Sequence, residues 1–356
     1  MACQAARLDS QAQSRKIAPI TFIYLPFMKL TLALPALNRS GNTALPPLGL
    51  TAFDQLLRFG RFTQQPQPAS VFYGRYLWQG SLIAAAKQAL NLPETQPAVL
   101  VSPVWQQMGM NHVDMISASA VGITAKEAER FCVGLNELYA DEDWYFSPLR
   151  PDLWLATLPA EPDWQVPPLL DVLGAADGSL RAEGRDSGQW LQKQTEIQMW
   201  LYPHPLNNER AAAGMPAVNG VWLWQDIEGS CDAAPLLATD SPWAQFYPDE
   251  KVDAPYDFAA WQTLLAEQTQ PVSDGLLFLD DLTASAHTGD TGAYVHTLQS
   301  FETRWFAPLW QALCAGRLNS LRIVTDGDQG GELLVNAKAR RAFWKKKRRF
   351  TGLLGG

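Results

Sequence analysis

Five carboxylates and one imidazole gather in the last third of the chain, and they are the residues best suited to chemistry. Asp280 and Asp281 close an apolar run that starts at Leu276. His287 and Asp290 follow in a His-Thr-Gly-Asp stretch, and Asp326 and Asp328 close a second apolar run that starts at Leu321. Carboxylates beside a histidine suit a divalent cation such as Mg²⁺ or Mn²⁺, or general acid–base work. Apolar runs that end in acids read as strands, and open α/β sheets place ligands at the carboxyl ends of their strands. The expectation is one acidic pocket formed by Asp280, Asp281, His287, Asp290, Asp326 and Asp328. The alternative is structural: acids after strands cap helices and shape turns, and glycines such as Gly330 and Gly331 serve those turns.

A second group lies upstream. His204, Asn207 and Arg210 sit in a His-Pro-x-Asn-x-x-Arg stretch, followed by Gly214 and by Asn219 just before an apolar run. Asn207 and Arg210 are one helical turn apart, so both can face one anion. His204, Asn207, Arg210 and Asn219 are therefore the anion-binding candidates. The structural alternative is an Asn-capped surface helix that passes through a glycine to a strand.

The elements that must position these residues follow a pattern. Apolar runs at Leu30–Leu34, Ala98–Ser102, Leu153–Thr157, Gly220–Trp224, Gly275–Leu279 and Leu321–Thr325 read as strands. They alternate with helical stretches, so the expected fold is a doubly wound, mainly parallel α/β sheet. Thr124 and Glu127 make a capping box for a helix that runs to Tyr139. Gly188–Leu201 is a second helix. Thr291–Leu313 is the longest, and Pro308 should kink or split it near Phe306. The Pro-, Gly- and acid-rich stretch from Pro159 to Ser187 reads as surface loop.

The expected organisation is an α/β core from 28–101 and 201–337, with a smaller α+β lobe inserted at 102–200. Residues 1–27 read as an N-terminal extension, and Met28 is a candidate start. Residues 338–356 read as a basic tail.

The chain has 356 residues, and 47% of them are hydrophobic, which is enough for a large core. Its net charge is −8, unevenly spread. Eight basic residues and no acids lie between Lys338 and Arg349, which leaves 20 basic against 36 acidic residues in the remainder. An acidic body argues against a dedicated nucleic-acid protein, although the tail itself could meet an anionic surface. The four cysteines have neither metal-ligand nor redox spacing, which fits free thiols in a reducing cytoplasm. No apolar run near the start is long enough to span a bilayer.

The His204–Arg210 stretch, Gly214 and Asn219 resemble part of the archaeal-type cofactor-independent phosphoglycerate mutases, members of the alkaline-phosphatase superfamily. So does the later order of strand, His287-x-Gly289-Asp290, helix, strand and Thr325-x-x-Asp328. A nearer resemblance is to the bacterial RpfE-type regulatory proteins. It rests on Glu196–Met199, His204-Pro205, Asn207, Arg210, Asn219 and Trp222–Trp224. Further support comes from Ser102–Trp105, Gly109–Asn111, Arg341 and Phe343-Trp344. The resemblance implies an alkaline-phosphatase-like fold and, for a mutase, two divalent metals with a serine nucleophile.

The chain departs from that pattern. The first strand runs into Pro35–Asn38 without an acid, Thr283 stands where the mutases carry an Asp, and Asp328 is followed by Gln329, not His. The expectation is a catalytically degenerate relative that binds a phosphorylated or carboxylated metabolite, or a partner protein. The alternatives are a metal-dependent phosphatase or mutase with a rearranged acidic site, and a nucleic-acid-associated protein acting through its tail.

Overall fold

The computed structural model describes residues 28–39, 45–108, 113–117, 121–174, 182–231, 236–337 and 344–355. The proposed extension at 1–27, Gly109–Asn111, Arg341 and Phe343 lie outside the described residues.

In chain order the strands are β1 Lys29–Ala33, β2 Arg61–Gln64, β3 Gln79–Ser81, β4 Ala98–Met108, β5 Val113–Ser117, β6 Tyr145–Arg150 and β7 Leu153–Thr157. They continue as β8 Gly220–Trp224, β9 Glu228–Ser230, β10 Leu236–Ala238, β11 Lys251–Val252, β12 Asp274–Phe278, β13 Ser320–Thr325 and β14 Gly331–Asn336. The helices are α1 Thr51–Phe59, α2 Ala69–Leu77, α3 Leu82–Ala89, α4 Ala125–Leu138, α5 Leu169–Val172 and α6 Ser187–Leu201. After them come α7 Pro205–Ala212, α8 Phe258–Glu267, α9 Thr283–His287, α10 Thr291–Phe301 and α11 Ala307–Cys314.

The fold is mixed α/β, with a mostly parallel central sheet ordered β11-β10-β12-β1-β13-β14-β2. β1 pairs in parallel with β12 and β13, while β14 and β2 add an antiparallel edge. Side chains alternate along each strand, so the sheet has two faces. One face (Leu30, Leu32, Leu277, Ile323) packs on α1, α8, α10 and α11. The other (Ala33, Leu276, Phe278, Val324) joins a second core that includes α2 and a separate antiparallel sheet. That sheet is ordered β5-β4-β7-β6, with β8 also on β4.

The second sheet corrects the sequence reading. Ala98–Ser102, Leu153–Thr157 and Gly220–Trp224 are strands, but all three belong to the antiparallel sheet. Their near-continuous apolarity has another cause than parallel pairing. β7 and β8 are buried at every position because layers pack on both of their faces. Two of these strands, placed in the parallel core from the sequence, pair with each other as β4 and β8.

The described parts of the stretch from Pro159 to Ser187, 159–174 and 182–187, are mostly irregular, but 159–174 is not a surface loop. Trp164, Val166, Leu169 and Leu170 pack into the second core, so its apolar residues outweigh its turn-forming ones. The long helix is split as expected: α10 passes through a π-helical turn at Glu302–Phe306 into α11, with Pro308 in the first turn of α11. Proline has no N–H to return to residue 304, and the wider turn absorbs the defect. The capping box at Thr124 and Glu127 is present in full.

The end of the basic tail also differs from expectation. Trp344 is 73% exposed, while Phe350 and Leu354 beyond the basic run are buried, not part of a free tail. Phe350 meets the ring of Phe53 edge-on at 5.0 Å, and its N–H donates to Asp54. Lys345 donates to the carbonyl of Phe59 at 3.1 Å, and the Arg39 N–H donates to the carbonyl of Gly352.

Candidate functional site

The parallel register brings the ends of β1, β12 and β13 together, because Ala33 pairs with both Phe278 and Val324. Asp280 and Asp326 therefore leave the sheet at one edge, on either side of β1. Tyr73 of α2 lies over this edge, and its ring stands edge-on to Phe278 at 4.9 Å. Burial first, then the carboxylates of Asp280 and Asp326, push its phenol well above the usual range. Thr283 also borders the hydroxyl.

Burial raises the pKa of Asp280, the nearby Ser241 tempers the rise, and Asp281 and Asp240 add to it. Ser241 Oγ is buried and has no hydrogen-bond partner among the described residues, so it acts on Asp280 from outside hydrogen-bond geometry. The pKa of Asp326 is also raised by burial, against the pull of the Ala36 N–H, which donates to its Oδ1 at 2.7 Å. Asp171 of α5 contributes a further repulsion on Asp326 and accepts from the Ser70 N–H and hydroxyl. The edge thus sets two carboxyls with raised pKa values, Asp280 and Asp326, beside one tyrosine, with Asp171 acting on Asp326.

Arg150 of β6 approaches from the other sheet. It is paired to Asp152 at 2.6 Å, donates to the carbonyl of Pro242 and stacks 4.1 Å from the Trp243 ring centroid. A cavity of 510 Å³ opens beside it, lined by Asp152, Thr239, Asp240, Ser241 and Lys251 among others. Sequence reasoning missed Tyr73, Arg150, Asp171 and Ser241. Only Ser241 had a local signal, since it follows an apolar run and an acid at β10, as Asp281 does at β12.

The other predicted members of the pocket have separate tasks. Asp290 is the N-cap of α10, and its Oδ1 accepts from the Ala293 N–H at 2.9 Å. Asp281 and Asp328 are exposed. His287 ends α9 and packs on Gly174, whose φ is +70° and whose missing Cβ would stand 2.9 Å from the His287 Cα. Burial pulls its imidazole down to about 4. Among the described residues no three His, Cys, Asp or Glu side chains converge as metal ligands. The donors a two-metal centre requires do not fit: β1 ends without an acid, Asp326 is held by a backbone N–H, and Asp290 is a cap.

The four anion-site candidates hold their own chain together. Asn207 accepts from the Val218 N–H and donates to the carbonyls of Leu201 and Val218. Arg210, 3% exposed, donates to Glu127, to Val121 and to Pro216. His204 caps α7 through Nδ1 and lies against Phe131 and Trp200. Asn219 makes a two-way pair with the backbone of Gln106. Both Asn side chains imitate a neighbouring strand, which is why they flank the entry to β8.

No family model matches this chain, and no curated protein matches it. Among solved structures it is similar to the PH0037 protein from Pyrococcus horikoshii, with 11% identity, a TM-score of 0.47 and coverage of 91% of each chain. It is also similar to a cofactor-independent phosphoglycerate mutase from Thermoplasma acidophilum, with 12% identity and a TM-score of 0.36 over 86% of this chain and 89% of that one. No helix among the described residues is long and apolar enough to cross a membrane.

Proposed function

We propose that this chain is a catalytically silent, mutase-like α/β protein with a binding or regulatory role, of the kind its resemblance to the RpfE-type proteins implies. The observation that carries the reading is the state of Asp326. The acid after the last parallel strand spends its Oδ1 on the Ala36 N–H, at the point where a mutase would offer a metal-binding acid on the first strand. Asp280, with Ser241 and Tyr73 beside it, is set to hold a proton and to accept or donate a single hydrogen bond. Such an edge suits recognition of a polar ligand more than stabilisation of a transferring phosphoryl group, which needs fixed positive charge.

A thermal-shift screen with phosphorylated and carboxylated metabolites, with and without Mg²⁺ and Mn²⁺, tests this. A specific ligand stabilises the folded chain by mass action, by about 2.7 kcal/mol at a hundredfold excess over Kd, and so raises the melting temperature. The expected result is a metabolite shift that does not depend on the metal. A shift that appears only with Mn²⁺ or Mg²⁺ supports a metal-dependent phosphatase and overturns the reading.

A further inference from the structure

A second concavity lies away from the acidic edge, over the amino-terminal half of the parallel sheet. Parallel sheets are ordinarily covered on both faces. Here α2 covers the row Ala33, Phe278 and Val324, where Tyr73 stands edge-on to Phe278 at 4.9 Å and Tyr76 is tilted against it at 6.3 Å. The next row toward the strand starts, Thr31, Leu276 and Arg322, is the floor of an open groove of 1160 Å³. Ligand sites commonly enclose roughly 300–1,000 Å³. Val71, Arg75 and Tyr76 of α2 form one wall, with Gln67, Ser230 and Ser273 adding polar groups and Leu236 and Val272 adding apolar surface.

We propose that this groove binds an organic anion, with Arg75 and Arg322 holding its carboxylate or phosphate monoester head and Val71, Leu236, Val272 and Leu276 its apolar body. Three observations support the assignment. Arg75 makes no ion pair among the described residues; it rests 5.9 Å from the Tyr76 ring centroid. Among the described residues Arg322 has one loose ion-pair partner, Glu332 at 3.4 Å, and its side chain stays 48% exposed. Both guanidinium groups line the same groove as Tyr76; both lower the pKa of its hydroxyl, against burial, the largest effect, and Glu332, which raise it.

Each guanidinium is a planar fork that can hold a carboxylate or phosphate in a bidentate way. The lining acid, Asp274, lies two strands and two residues from Arg322, about 12 Å by strand spacing, and its Oδ2 accepts from the Ser273 hydroxyl. Glu332 offsets part of the charge of Arg322, and Arg75 keeps its positive charge in the groove. The groove stands independently of the binding role proposed for the carboxyl edge.

Calorimetric titration of the full chain with octanoate, octyl phosphate and, as a neutral control, octanol tests the proposal. The result expected is saturable one-to-one binding of at least one of the two anions. Whichever binds more tightly identifies the preferred head group. Octanol should bind at least about tenfold more weakly, and Arg75→Gln or Arg322→Gln should each weaken the anion about tenfold or more, as loss of a charge-assisted contact does. Val71→Glu, a substitution at an exposed helix position, should abolish binding by repulsion while leaving the melting temperature unchanged. It decides the matter even if Arg322→Gln disturbs the strand. Failure of both anions to saturate, octanol binding as tightly, or unchanged affinity in Arg75→Gln and Val71→Glu overturns the proposal.

Discussion

The buried end of the tail makes a strong demand on the structure. Phe350 is 5% exposed and Leu354 fully buried, yet five consecutive basic residues, Lys345 to Arg349, precede them. Truncating one such side chain costs about 3 kcal/mol at a well-packed site. Losing both approaches the lower end of a domain's whole stability, about 5 kcal/mol. The chain has an escape, however: the segment can undock and recover about 1–2 kcal/mol of backbone entropy per residue. The global loss is therefore capped, and the effect should appear mainly as local opening.

Phe350→Ala alone should raise the open population about a hundredfold, since every 1.4 kcal/mol is a factor of ten. Trypsin reads this directly. Cleavage after Lys347, Arg348 and Arg349, followed by mass spectrometry, should be slow in the wild type and about a hundredfold faster in the variant. The melting temperature should fall by only a few degrees. Equal cleavage rates in the two proteins would refute the docking of the tail.

Three further outcomes follow from the same geometry. Arg210→Ala removes a buried cation with three hydrogen-bond partners and takes from Glu127 its ion-pair partner, so urea denaturation should show a loss of about 3 kcal/mol, with Arg210→Lys intermediate. An unchanged midpoint would restore Arg210 as a free anion contact. The folded-state pKa of Asp280 lies above its unfolded value, so ionising it costs stability, and stability falls as pH rises from about 4 through the folded-state pKa. Asp280→Asn should then melt higher than the wild type at pH 7, with the gain gone near pH 3; a lower melting temperature at pH 7 contradicts this. His287 is shifted the other way, from 6.5 to about 4, so its share of stability is lost as pH falls through that window. His287→Gln should flatten the decline in melting temperature between those two pH values, and an identical slope contradicts the placement of His287.

Much of the frame was legible in the sequence because it is local. β1, β12 and β13 are short apolar runs with acids or turns behind them, α4 announces itself by its capping box, and Pro308 marks the break in the long helix. The partition into two sheets was not legible. A strand buried on both faces reads the same whether its partners run parallel, as at β12, or antiparallel, as at β7 and β8. The site was legible only in part. Asp280 and Asp326 were found because they end adjacent strands, whereas Asp290 has the same local look and is a cap. Tyr73, Asp171 and Arg150 reach the edge from other elements. Pairings separated by a hundred residues or more, such as that of Asp171 with Ser70, leave no periodicity to read. The tail misled because its charge density masked two apolar residues just beyond it.

The central claim is that the carboxyl edge holds protons and a ligand but does not transfer a phosphoryl group. The most direct measurement is a coupled phosphoglycerate mutase assay on the full chain with 3-phosphoglycerate and saturating Mn²⁺. The account predicts no turnover above the uncatalysed background. Turnover within the ordinary enzyme range, roughly 1 per second or more, would contradict it.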